Sequence, residues 1–170
     1  PSVLLDLEES DESRRFKLLM CPTGSAGIRA YYAADGLHWR HAQPEPVIAA
    51  PSDGHIGLYR HPQNGLYRCS FTLRSGDRRV WLSESEDFIH WTRPVLGLEP
   101  ELADGTQRRF NGMQMAPYGN YVLGWIPVLN TQESDLCHGK GQATLDVELA
   151  YSRDGFCWHR AAAAGHKFIP

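Results

Sequence analysis

Residues 152–158 read Ser-Arg-Asp-Gly-Phe-Cys-Trp, "SRDGFCW", and the same signature occurs at 33–39 as "AADGLHW" and at 85–91 as "SEDFIHW". In each copy a Trp stands four positions after an Asp: Asp35 and Trp39, Asp87 and Trp91, Asp154 and Trp158. An Asp that opens a tight turn accepts hydrogen bonds from N–H groups two or three residues on, and a Gly at the next position tolerates positive φ. The Trp then supplies one large apolar face per copy, suited to wedging one packed layer against the next. The three Asp residues therefore read as turn residues rather than catalytic ones. The signature counts structural units.

Trp39, Trp91 and Trp158 lie 52 and 67 residues apart, and the longer interval carries the polar stretch "NTQESDLCHGKGQ" at 130–142. A period of about 40–50 residues is that of a four-stranded propeller blade. Between the signatures the chain is punctuated into short runs rich in β-branched and aromatic residues: 14–21, 27–34, 55–61, 65–74, 78–85, 110–117, 120–129 and 144–152. Residues 2–7 fit an innermost strand and 91–96 a short outer one. Partial alternation marks these runs as strands, and "PQNG" (62–65), "SGD" (75–77) and "PYGN" (117–120) supply the residues of tight hairpins. No stretch carries a helical apolar stripe longer than about two turns. The fold class is all-β: about three four-stranded antiparallel meanders, blades 1–50, 51–100 and 101–170, in one partial β-propeller domain over 1–170.

Composition narrows the function classes. A chain of 170 residues, 42% hydrophobic and 22% charged, supports a real core. It holds no apolar run approaching the roughly 20 residues of a membrane-spanning helix, so a soluble protein with no membrane partner is expected. A net charge of -3 and the isolated pairs Arg14-Arg15, Arg78-Arg79 and Arg108-Arg109 give no basic face for nucleic acid. The four cysteines (Cys21, Cys69, Cys137, Cys157) lack a C-x-x-C spacing, and the eight histidines show no H-E-x-x-H. No metal and no cofactor are expected. Buried thiols are the simpler reading, with a Cys137–Cys157 disulfide left open for an exported protein. The chain opens at Pro1 without a basic or apolar leader and closes directly after the third signature, which reads as a piece of a longer chain.

Four stretches carry a family resemblance: "DESRRFKLLM" (11–20), "YYAADGLHW" (31–39), "RRVWLSESEDFIHWTRPVL" (78–96) and "LDVELAYSRDGFCWHR" (145–160). In this order they resemble the five-bladed β-propeller glycoside hydrolases around families 32 and 43, and most closely a group of uncharacterised bacterial family-32-like proteins. The Asp box of sialidases places its aromatic residue five positions after the Asp, so the spacing of four fits them less well. Propellers close with about four to eight blades. Three blades therefore imply a fragment of a five-bladed ring.

The resemblance implies a central funnel lined by the innermost strands, with polar residues at their starts and a carbohydrate as partner. Glycoside hydrolysis uses two carboxyl groups, about 5–5.5 Å apart for retention and about 6.5–9.5 Å for inversion. The catalytic candidates are Asp53 in "APSDGHIGLYRH", where the resemblance places a funnel Asp, and Asp104 in "ELADGTQRRF", at the equivalent place before the next inner strand. Glu101 and Asp6 are weaker candidates, and both Asp53 and Asp104 also fit plain Asp-Gly turns. His55 and Arg60 on the second unit, with Arg109 and Asn111 on the third, are candidates to bind sugar hydroxyls; Trp125 or Tyr118 would stack on a pyranose face. One departure stands out: the third inner strand begins "TQRRFNGM", with arginines where related propellers often carry an acid. Two functions follow, a glycoside hydrolase and, as the alternative, a non-catalytic propeller that binds glycan or protein.

Overall fold

The β-rich runs pair in the order in which they occur. A computed structural model describes residues 1–52, 55–73, 79–131 and 144–170. The first sheet joins β1 (Ser2–Leu5), β2 (Phe16–Met20), β3 (Arg29–Ala33) and β4 (Arg40–His41) as an antiparallel meander. The second repeats it with β5 (Gly57–Arg60), β6 (Tyr67–Thr72), β7 (Val80–Ser85) and β8 (Val95–Leu98). The third comprises β9 (Arg108–Phe110), β10 (Gln114–Tyr118), β11 (Tyr121–Asn130), β12 (Thr144–Ser152) and β13 (Trp158–Arg160). These sheets are blades: the first strand of the second sheet, β5, lies beside both β1 and β10, so the inner strands neighbour one another.

Two elements differ from the sequence reading. The second outer strand begins at Val95 rather than at 91, because Trp91 is still engaged by its own turn: its indole N–H donates to the Phe88 carbonyl at 3.0 Å. The third inner strand is broken. Phe110 pairs with Val128 and Gln114 with Trp125, so residues 111–113 stand opposite two residues of β11. This is a β-bulge, and Gly112 at φ 125° supplies its unusual backbone. The polar insertion at 130–142 and Cys137 fall almost wholly outside the described residues.

All three signatures fold as the Asp-turn reading requires. Asp35, Asp87 and Asp154 each accept, through Oδ1, the N–H groups two and three residues on, at 2.8–2.9 Å. Trp158 is buried between the second and third sheets, Trp91 packs on the core between the first and second, and Trp39 is half-buried.

Two apolar cores hold the arc together, one at each blade junction. Leu19, Ile28, Tyr32, Tyr67, Phe71 and Phe88 fill the first; Tyr59, Leu82, Phe110, Met113, Ile126 and Trp158 fill the second. The middle strand β6 is buried along its whole length, because Tyr67, Cys69 and Phe71 face one blade while Arg68, Ser70 and Thr72 face the other. Burial pushes the Cys69 thiol up, as an inert core thiol requires. On the outer sheets the far faces expose Val3 and Leu5, and Tyr121, Leu145 and Tyr151. Among the described residues no helix is long and apolar enough to cross a membrane.

Candidate functional site

The inner strands of the second and third blades meet at the bulge. Gly57 opens β5, and a Cβ there would lie 2.3 Å from the Met113 carbonyl oxygen, so glycine is what lets the two backbones approach. Three side chains then tie the bulge to the second blade. Ser70 donates to the Met113 carbonyl at 2.5 Å, and Gln114 Nε2 donates to the Ile56 carbonyl at 3.0 Å. Asn111 Nδ2 meets His55 Nε2 at 3.1 Å. Asn111 is buried, its own N–H donating to the Pro127 carbonyl at 2.7 Å, whereas His55 stands exposed before β5. Gly112 completes the fit, since a Cβ there would come within 2.5 Å of the His55 Cβ. Of the residues singled out from sequence, the structure joins His55 with Asn111 here, and Asp6 with Arg60 at the far end of β5. Asp53, two positions before His55, lies outside the described residues.

Asp104 sits in a different environment. It closes a 3-10 turn, Leu102–Asp104, and its side chain is fully buried. Arg160, from the outer strand β13, grips both carboxylate oxygens at 2.5 and 2.9 Å, the Glu101 N–H donates to Oδ2 at 2.8 Å, and Arg108 Nε lies 3.3 Å from Oδ1. Glu148 on β12 bridges the same two arginines, and Asn130 links the group to Asp146 at 2.7 Å. Burial alone would raise the Asp104 carboxyl. The Arg160 hydrogen bonds, the Glu101 N–H and the Arg108 charge outweigh it and hold the group below the ordinary Asp range. A carboxylate so held stays ionised and is poorly placed to move a proton.

The remaining candidates are dispersed. Arg60 is at the opposite end of β5 from His55, paired with Asp6 at 2.9 Å and Glu8 at 2.7 Å. Asp6 in turn accepts from the Tyr67 hydroxyl at 2.5 Å and faces the buried Lys17 ammonium at 3.3 Å. Trp125 lies on the second strand of its sheet and not at an inner-strand start, opposite Gln114 and Leu149. Arg109 pairs with Leu129 and is half-buried. Tyr118 is exposed at the hairpin tip. Arg160 and Glu148 went unnoticed in the sequence. The visible signal was "TLDVELAYS", where Asp146 and Glu148 occupy alternate positions that a buried strand face would otherwise give to apolar residues.

A separate concavity of about 330 Å³ opens on the third blade, lined by Tyr121, Tyr151, Arg153, Asp154, Cys157 and His159. Arg153 donates to the Tyr121 hydroxyl at 2.9 Å and covers its ring. Among the described residues no group of His, Cys, Asp and Glu has the arrangement of a metal site.

In sequence the chain matches no protein-family model and no curated protein. In structure it is similar to a thermostable family-43 glycoside hydrolase, with TM-score 0.69 and 12% identity over 99% of this chain and 55% of that one. It is also similar to a family-25 polysaccharide lyase, an ulvan lyase bound to -[GlcA(1-4)Rha3S]-, with TM-score 0.62 and 11% identity over 96% of this chain and 42% of that one. A third similar structure is a family-32 β-fructofuranosidase of Bombyx mori, with TM-score 0.56 and 13% identity over 86% of this chain and 34% of that one. At such identities the likeness is one of fold. The chain spans about half the length of the family-43 enzyme.

Proposed function

We propose that this chain forms consecutive blades of a five-bladed, carbohydrate-active propeller of the family-32 and family-43 kind, near the bacterial family-32-like group, and that its funnel takes up a glycan beside β5 and the bulge. The observation that carries this reading is the contact between His55 and Asn111, which brings a polar side chain from the entry to β5 and one from the bulge of the next blade to one point. Asp53, two residues before His55, is the carboxylate that takes part in glycosidic bond cleavage, and His55 and Asn111 hydrogen-bond the sugar. Asp104 is the anchor of the third blade rather than the second carboxyl group, because its oxygens are committed to Arg160, Arg108 and Glu101. The second carboxyl group of a hydrolase then comes from another blade of the ring.

The same commitment of Asp104 favours a second reading, a propeller that binds glycan without cleaving it. Hydrolysis of a broad panel of chromogenic glycosides by the protein carrying the complete ring separates the two. Turnover abolished by Asp53→Asn, with glycan binding retained, supports the hydrolase. Binding without turnover in the unsubstituted protein supports the binder, and turnover unchanged by Asp53→Asn removes Asp53 from the chemistry.

A further inference from the structure

The bulge that places Asn111 also dictates how His55 carries its proton. An amide nitrogen can only donate, so the contact between Asn111 Nδ2 and His55 Nε2 at 3.1 Å requires Nε2 to accept. A neutral imidazole with an accepting Nε2 bears its proton on Nδ1. We propose that Asn111 is a positioning residue that fixes His55 as the neutral Nδ1–H tautomer. Three features make the fixing firm. Asn111 is buried and its backbone is held by Pro127, so the amide does not wander. Gly112 lets the His55 Cβ seat against the bulge, and the Ser70 and Gln114 hydrogen bonds lock the bulge to the second blade. The ring is thereby oriented from one side by the third blade while its backbone belongs to the second.

This inference rests on the funnel reading for its functional meaning, though not for its test. If a glycan binds beside β5, His55 enters that site with Nε2 occupied. It then orients ligand oxygens and does not deliver a proton through Nε2, which leaves proton transfer to a carboxyl group such as Asp53.

Histidine tautomers are read directly from side-chain nitrogen and carbon chemical shifts, so the test needs no substrate. With isotopically labelled chain, His55 assigned by loss of its signals in His55→Gln, the expected result at neutral pH is the Nδ1–H form. Asn111→Asp replaces the donor with a carboxylate acceptor and should move the proton to Nε2. An Nε2–H or doubly protonated His55 in the unsubstituted chain overturns the proposal, as does an Nδ1–H signal unchanged in a folded Asn111→Asp variant. If that variant does not fold, the unsubstituted spectrum decides alone. A confirmed tautomer in a protein that binds no glycan defeats the carbohydrate reading and leaves the positioning role standing.

Discussion

The two blade junctions are built on one repeat and differ at the residue that follows the signature Asp, Phe88 in one and Gly155 in the other. Lys17 and Arg68 hold the same register position: each lies opposite the residue three before a signature Asp, Tyr32 before Asp35 and Glu84 before Asp87. Lys17 is held by Asp6 and Glu9 and lies over the Tyr67 ring of the next blade, whereas Arg68 reaches into the turn of the next blade. At the first junction the signature turn presents Phe88, which takes a left-handed φ of 70° and drives its ring, fully buried, against Tyr32, Tyr67 and Trp91. At the second junction the same position is Gly155, and the space left by its missing side chain admits the Arg68 guanidinium and the Tyr59 hydroxyl. Arg68 donates to the Asp154 carbonyl and lies over the Phe156 ring at 4.4 Å. At this one position the first junction carries an aromatic ring and the second a guanidinium. The candidate site lies along the second.

The first junction is most sensitive at Phe88. Removing its ring by Phe88→Ala keeps the left-handed backbone and empties the first junction, an expected loss of about 4 kcal/mol in denaturant unfolding. Phe88→Gly should recover about 1 kcal/mol of that, because glycine carries no Cβ penalty at this φ. If Gly proves worse than Ala, the strained backbone is not what the ring's packing offsets.

Lys17→Met comes next, at about 3 kcal/mol, since it strands Asp6 and Glu9 beside an uncharged side chain. Asp6→Asn in the same background should return part of the loss, and a double-mutant cycle reads the coupling. Gly155→Ala tests the other junction. Its Cβ would meet Arg68 Nη1 at 2.2 Å and the Tyr59 hydroxyl at 2.3 Å. About 2 kcal/mol is expected, from the left-handed backbone and displacement of Arg68.

Asp6 and Asp104, one carboxylate in each of the two ion-pair networks, are both held below the ordinary Asp value of 3.8. A lowered folded-state pKa contributes stability that is complete above the unfolded value and lost as pH falls through the folded one. The contribution of these two carboxylates should therefore be complete from neutral pH to about pH 5 and be lost below about pH 4. Asp104→Asn should lower stability at neutral pH and flatten that acid drop; an unchanged acid limb would mean its pairing with Arg160 contributes nothing. The smallest effect is at Cys157, which holds the place that His38 and His90 hold beside Asp35 and Asp87. Cys157→His should leave the midpoint unmoved while adding a histidine with a raised pKa, as at His38.

The sequence made the strands and turns legible because alternation, Asp-turn-Trp spacing and Pro, Asn and Gly clusters are local signals. It was less informative about side chains that meet across distance. Asp104 stands before an inner strand as a funnel acid would, yet its partner Arg160 is 56 residues away and nothing near Asp104 announces it. Arg60 is only five residues from His55, but it closes β5 while His55 precedes it, so the two lie at opposite ends of the strand. Trp125 has the right chemistry for stacking on a sugar, and the structure places it on β11 opposite Gln114, one strand out from the inner edge. The contact of His55 with Asn111 was half visible: both residues were singled out, while the bulge that joins them depends on a one-residue slip between β11 and its neighbour.

The measurement that bears most directly on a glycan funnel at the second junction is a titration of labelled chain with neutral and uronate oligosaccharides, followed through backbone amide shifts. Saturable shifts concentrated on 55–57 and 111–114, and lost in His55→Ala, are expected. Shifts confined to the Tyr121, Tyr151 and Arg153 concavity, or none across the panel, would contradict that funnel.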